Sequence, residues 1–280
     1  MKRRHKKFWR AGKKERGSGG GNFLPASRKQ NYETILLQSA SGFCSKKVLT
    51  SSSRHHDYGG GGLRRRESDC VHPKLYAKED SRHVHFMPKR VFIIHGWGGN
   101  PQEGWFPWLK KELQMRGFVV QVPSMPNPEE PKIETWVPFL SKLVGQADEN
   151  TFLVGHSIGC QTIIRYLQTL PEGVKIGGAV FVAGWYNLRN LETDDEKRIA
   201  GPWVNEPRDD KKIRQAVNRA IAIFSDNDPF VIPENQKSWG KLIGAKIIVE
   251  HQKGHFSGDD GIKELPSALE AMLEIAGEKQ

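Results

Sequence analysis

From Met87 onward the chain repeats one pattern: a short run of Val, Ile and Phe without polar alternation, then a segment whose apolar residues recur at helical spacing. Strand-like runs fall at 90–95, 118–122, 151–154, 178–183, 219–225 and 245–250. Helical patterns occupy 101–116, 133–146, the stretch after the third strand up to Pro171, 209–217, 234–242 and 262–275, while 184–207 reads as irregular. A strand with no alternation is buried on both faces, and strands separated by helices pair in parallel. The expected fold is therefore α/β: three layers, with a doubly wound, mostly parallel sheet of about six strands spanning residues 87–280. Functional groups in such a sheet gather at the carboxyl ends of the strands.

Residues 1–86 have a different texture. They carry 20 Lys and Arg against 7 Asp and Glu, which leaves 23 against 25 for residues 87–280, so the net charge of +11 belongs to the N-terminal segment. Basic clusters (Lys2 to Lys7, Arg64 to Arg66) alternate with glycine and serine runs and show no period, which leads us to expect a disordered basic tail. Its readings are a solvated tail without a role, an arm touching nucleic acid or anionic membrane, and an Arg-rich targeting leader. A natural start at Met87 also fits, because Pro88, Lys89 and Arg90 lead straight into the first strand. The basic total is no sign that the folded part binds nucleic acid. Six histidines in the tail (His5, His55, His56, His72, His83 and His85) include one H-x-H but no third ligand at consistent spacing, so no metal site is expected.

The cysteines, Cys44, Cys70 and Cys160, are odd in number and form no C-x-x-C pair, which fits a reducing compartment. No apolar run approaches membrane-spanning length, and the N-terminus lacks the apolar centre of a secretion signal. A cytoplasmic protein is expected.

The third strand ends in Gly155-His156-Ser157-Ile158-Gly159 and runs directly into a helix marked by Ile163, Ile164, Leu167 and Leu170. G-x-S-x-G between a strand and a helix is a nucleophile elbow: the small residues let strand and helix pack closely around a strained turn, which pushes the hydroxyl out beside a helix N-terminus. Alone the motif is weak, and its context raises it. A serine needs a general base held by a carboxylate. His255, after the last strand and beside Gly254, is placed to lean over Ser157; His251 lies nearer the strand end and reads as a surface or wall residue. His156 must point away from the tip and reads as structural. Two acids follow the fifth strand, Asp226 and Asp228. We favour Asp228, because Pro229 fixes the next turn and Val231 and Ile232 can bury it. The order Ser157, Asp228, His255 is the order found in triads on this kind of sheet.

The loop after the first strand, His95-Gly96-Trp97-Gly98-Gly99, would let backbone approach a substrate, and the N–H groups of Trp97 and Ile158 are the expected oxyanion donors. Its spacing fits neither nucleotide-binding glycine pattern. Trp105, Trp185 and Tyr186, with Trp97, Trp108 and Trp203, fall in or beside loops at the expected mouth; they are candidate walls for a small apolar acyl group, or core packing. Cys160 reads as a small buried residue at the helix start.

Together HGWGGNPQEGWFPWLKKEL, the VPSMPNP loop, GHSIG, SDNDPFVIP and KGHF resemble the small single-domain serine hydrolases of the alpha/beta-hydrolase fold, the group represented by retinoblastoma-binding protein 9 and the bacterial YdeN-type proteins. The resemblance spans residues 88–278. It implies Ser157 as nucleophile, Asp228 as triad acid and His255 as base, a sheet lacking the first two strands of larger hydrolases, and a minimal lid. The expected function is hydrolysis of a small ester, thioester or amide through an acyl-enzyme, with no metal or cofactor. The alternative is a non-catalytic binding or scaffold protein whose basic arm contacts nucleic acid. No L-x-C-x-E segment is present, so retinoblastoma-type partner binding is not implied.

Overall fold

The structure is a computed structural model that describes residues 87–278. The segment 1–86, with the readings given for it, lies outside the described residues.

Among the described residues six strands form one sheet: β1 (Arg90–Ile94), β2 (Val119–Gln121), β3 (Thr151–His156), β4 (Gly178–Val182), β5 (Ala220–Ser225) and β6 (Lys246–Glu250). The order is β2-β1-β3-β4-β5-β6, and every neighbouring pair is parallel. All residues of β3 and β4 are buried, which is what their unbroken apolar sequence requires of central strands. β6 lies at an edge and leaves Lys246 and Val249 exposed.

The chain steps from β1 outward to β2, then crosses to the other side of β1 to form β3. The loops after β1 and β3 therefore leave side by side, which opens a crevice at the reversal point. Register keeps the strand ends level: Ile94 faces Gly155, and His156 faces Val182.

Among the described residues seven α-helices cover the sheet: α1 (Phe106–Met115), α2 (Ile133–Val144), α3 (Ile158–Leu167), α4 (Asp194–Asn205), α5 (Asp210–Gln215), α6 (Glu234–Ser238), continued by a π-helical turn at Trp239–Ile243, and α7 (Pro266–Ala276). α1 packs with α7 in one layer; α2, α3, α5 and the π-turn pack together in the other. α1 buries Phe106, Leu109 and Leu113, and α2 buries Trp136, Val137, Leu140 and Val144, each an apolar stripe on one face. α3 lies between α2 and α5 and has every residue buried.

The expected fold class holds, with local corrections, among them a last helix that begins at Pro266 rather than 262. Residues 101–105 are turns, with Gly104 at φ 53°, and the first helix begins only at Phe106. The stretch read as irregular contains α4. Thr193 accepts the N–H of Glu196 while the Glu196 carboxylate accepts the N–H of Thr193, a complete capping box. Only Ala200 and Trp203 of this helix are buried, so it has no apolar stripe long enough for periodicity to reveal. Among the described residues no helix is long and apolar enough to cross a membrane.

Candidate active site

The elbow is as tight as its glycines require. Ser157 has φ 53° and ψ −118°, a strained conformation for a residue with a side chain. A Cβ on Gly159 would lie 2.4 Å from the carbonyl oxygen of Ile94, and one on Gly155 would lie 2.8 Å from the backbone nitrogen of Cys160. The first contact presses the start of α3 onto the end of β1; the second packs β3 onto α3. The N–H of Ser157 donates to the Val182 carbonyl (2.9 Å), which fixes the tip to the neighbouring strand end.

Three strand ends then converge. Asp228 follows β5, and its Oδ1 accepts the N–H groups of Phe230 (2.8 Å) and Val231 (3.0 Å). Its Oδ2 lies 2.8 Å from Nδ1 of His255, in the loop after β6. Nε2 of His255 lies 2.9 Å from Oγ of Ser157. All three side chains are buried. Burial drives the Asp228 carboxyl upward, but the His255 ring beside it and the two N–H groups outweigh this and hold it below the ordinary carboxylate range. An ionised Asp228 can only accept, so the proton of neutral His255 sits on Nδ1, and Nε2 is left to accept from the serine hydroxyl.

Asp226 is engaged elsewhere. Its Oδ2 pairs with Nδ1 of the exposed His251 and its Oδ1 accepts the Gln252 N–H (2.8 Å), so it ties together the ends of β5 and β6. Asn227 adds to this tie, its Oδ1 accepting from the Ser225 hydroxyl (2.7 Å) and the Gly254 N–H (2.8 Å).

The loop after β1 lies against the elbow: a Cβ on Gly96 would be 3.0 Å from Nδ1 of His156 and 3.5 Å from Cβ of Ser157. Trp97 follows directly, and its indole donates to the Glu129 carbonyl (2.9 Å) while the Gly98 N–H donates to Pro128 (2.8 Å). His95 is wholly buried, with Nδ1 donating to the Gly96 carbonyl (2.7 Å) and Nε2 accepting the Met125 N–H (3.0 Å). The glycine turn is thereby anchored to the proline-rich loop. Ile158 is the first residue of α3, and N–H groups in a first helical turn have no intrahelical acceptor.

Trp105 and Trp185 are 1 % exposed and Tyr186, like Ser157 itself, is 4 % exposed, so these three rings are packed in the interior. Trp105 donates its indole N–H to the Phe256 carbonyl (3.0 Å) and stands edge-on to His156; Tyr186 packs edge-on to Trp239. Large rings lose most by staying in water, and this interior had room for them. Cys160 is likewise buried, its thiol directed at the Val182 carbonyl and pushed well above its ordinary pKa by burial.

Among the described residues no group of three or more His, Cys, Asp or Glu could hold a metal ion. A surface depression of about 450 Å³, lined by Arg214, Arg219, Lys246 and Glu274, sits at the amino ends of β5 and β6, the wrong end of the sheet for Ser157.

Sequence reasoning missed Asp260. Its Oδ2 accepts the N–H groups of His255 (2.9 Å) and Ser257 (3.0 Å) and the Ser257 hydroxyl (2.7 Å). The signal was the S-x-x-D spacing of Ser257 and Asp260, a local capping pattern outside any helix.

Comparison with known proteins agrees with this architecture. A family model described as serine hydrolase matches residues 91–274. The chain is 34 % identical over 187 residues to YdeN of Bacillus subtilis, named as a hydrolase, covering 66 % of this chain and 95 % of that one. It is 27 % identical over 189 residues to the serine hydrolase RBBP9 of Rattus norvegicus, covering 66 % and 96 %. The crystal structure of the Bacillus subtilis ydeN product superposes with a TM-score of 0.62 at 30 % identity, covering 68 % of this chain and all of that one. A family match across almost the whole described region, on a sheet built as that family builds it, means that the chain belongs to the serine hydrolases of the alpha/beta-hydrolase fold and is a hydrolytic enzyme.

Proposed function

We propose that the protein cleaves a small ester, thioester or amide through an acyl-enzyme formed on Ser157. The observation that carries this reading is the unbroken chain of contacts from Asp228 Oδ2 to His255 Nδ1 (2.8 Å) and from His255 Nε2 to Ser157 Oγ (2.9 Å).

His255 takes the hydroxyl proton as Ser157 Oγ attacks the acyl carbon, and it becomes a cation whose Nδ1–H faces the Asp228 carboxylate. The oxyanion is bound by the backbone N–H groups of Ile158 and Trp97. Collapse expels the leaving group, which receives the proton from His255 Nε2. Water, deprotonated by the same nitrogen, then attacks the acyl-enzyme; as the bond to Ser157 Oγ breaks, His255 Nε2 returns that proton to Oγ and the acid leaves. No step calls for a metal or cofactor.

The small substrate is supported by the connection between β4 and β5, residues 183–219, which adds only the helix α4 and the short α5 and no full cap domain. Residues 87–280 form the catalytic domain in this reading and residues 1–86 an accessory basic extension. The odd number of cysteines, with no C-x-x-C pair, supports a reducing, cytoplasmic setting.

The test is rapid mixing of the protein with p-nitrophenyl acetate. A burst of nitrophenolate equal to the enzyme present, followed by slower turnover, is expected, with neither in a folded Ser157→Ala variant. Undiminished turnover in that variant would refute the assignment. Loss of nucleic-acid binding with unchanged hydrolysis on deletion of residues 1–86 would make the extension an independent arm.

A further inference from the structure

The base stands on an improbable piece of backbone. Gln252, Gly254 and Phe256 have φ of 53°, 58° and 56°, so two residues with side chains near His255 are left-handed. Such conformations cost on the order of 1–3 kcal/mol each and persist only where the surroundings over-determine them.

Three side chains hold this loop. Nε2 of His156 is 2.7 Å from the main-chain carbonyl oxygen of His255; a carbonyl only accepts, so His156 donates. Asp260 accepts the N–H of the same residue at 2.9 Å. The Trp105 indole donates to the next carbonyl, that of Phe256, at 3.0 Å. The peptide groups on both sides of His255 Cα are thus gripped, one from the elbow and one from its own loop.

His156 has the wider reach. It precedes Ser157 in the chain, its ring centre is 5.2 Å from that of His255, and its Nδ1 lies so close to Gly96 that an added Cβ would approach to 3.0 Å. One ring therefore touches the oxyanion loop, the nucleophile's own backbone and the base. Trp105 and Phe106 pack edge-on against it and close it off from water.

We propose that His156 and Asp260 are positioning residues for the reaction, holding the main chain of His255 from opposite sides so that its Nε2 meets Ser157 Oγ. Burial, with the neighbouring His255 a smaller cause, lowers the pKa of His156 to about 3. The ring stays neutral at working pH and keeps its Nε2–H as donor while His255 gains and loses its proton. A displacement of about 1 Å of a reacting group can cost roughly 100-fold in rate. This inference rests on the triad proposed above.

The test pairs variants that keep or remove each bond in the full chain. Gln places an amide N–H where Nε2 of His156 stood, whereas Phe keeps the ring and removes the donor; Asn at position 260 keeps one accepting oxygen, whereas Ala keeps none. For each, the p-nitrophenyl acetate burst counts working sites, and kcat is expressed per site. Expected is a fall in kcat of about 10-fold to 100-fold for His156→Phe and Asp260→Ala with KM within about threefold, and recovery of most of it in His156→Gln and Asp260→Asn. A merely structural role would lower the number of sites and leave kcat per site unchanged; that result, or equal losses in both members of each pair, would overturn the proposal. Should His156→Phe not fold, the Asp260 pair decides. A wild-type protein without a burst would refute the triad itself, and this inference with it.

Discussion

Asp228→Asn isolates the role of the acid. The backbone N–H groups of Phe230 and Val231 hold Oδ1, so the amide oxygen of the substituted side chain stays with them and its NH2 turns toward His255. The imidazole nitrogen 2.8 Å away must then accept, and its proton moves to Nε2, which faces Ser157 Oγ at 2.9 Å. A base that already carries a proton there cannot take another. The wrong tautomer costs a Ser-His-Asp triad about 10⁴-fold in kcat, which at about 1.36 kcal/mol per tenfold is roughly 5.4 kcal/mol of transition-state stabilisation. Asp226→Asn serves as the control, since that acid engages His251 and Gln252 at the surface and should change kcat by no more than about twofold. Both variants are assayed for steady-state hydrolysis of p-nitrophenyl acetate, with circular dichroism to verify folding. Activity of Asp228→Asn within tenfold of wild type, or an equal loss in Asp226→Asn, would refute this reasoning.

Three further outcomes follow from the packing and the charges. Gly159→Ala drives a Cβ against the Ile94 and His95 carbonyl oxygens at 2.4 and 2.8 Å, backbone that cannot swing aside, and should lower the urea-unfolding free energy by about 3 kcal/mol; a variant as stable as wild type would show that the elbow is looser than described. The folded pKa of His156, about 3, lies below its ordinary 6.5, so the unfolded chain binds the extra proton, and stability should fall as pH drops from about 6.5 toward 3, by up to roughly 1.4 kcal/mol per pH unit from this group. His95, also lowered by burial, adds to that slope, and His156→Gln should remove about one proton's share of it in urea titrations at several pH values; an unchanged slope would contradict the burial of a neutral ring. Cys160 should resist maleimide in the native protein and react after unfolding, as peptide mass mapping would report; native labelling at Cys160 would contradict its placement.

What could be read from the sequence was what depends on period and chain order. Uninterrupted Val and Ile runs identified the strands, of which β3, β4 and β5 are the buried centre and β6 an edge, and the placement of Ser157, Asp228 and His255 after β3, β5 and β6 follows from chain order. The preference for Asp228 over Asp226 comes from Pro229 and the apolar residues beyond it, which indicate a turn that buries the acid beside it.

What escaped depends on contacts that no spacing announces. Trp105, Trp185 and Tyr186 sit in loops or beside them, yet loop membership says nothing of which way a ring turns, and these turn inward. α4 is held by its cap and by a few contacts such as the bond from the Trp203 indole to the Pro131 carbonyl, so its sequence carries no stripe. The support of His255 is the clearest case: His156 is 99 positions away in the chain, and only the fold makes it a neighbour.

The most direct measurement of the central claim is the intact mass of the protein after incubation with a fluorophosphonate, followed by peptide mapping. An activated serine in a working triad predicts a single adduct, located on Ser157, and none on Ser157→Ala. A well-folded protein that takes up no label, or takes it up at another residue, would contradict the account.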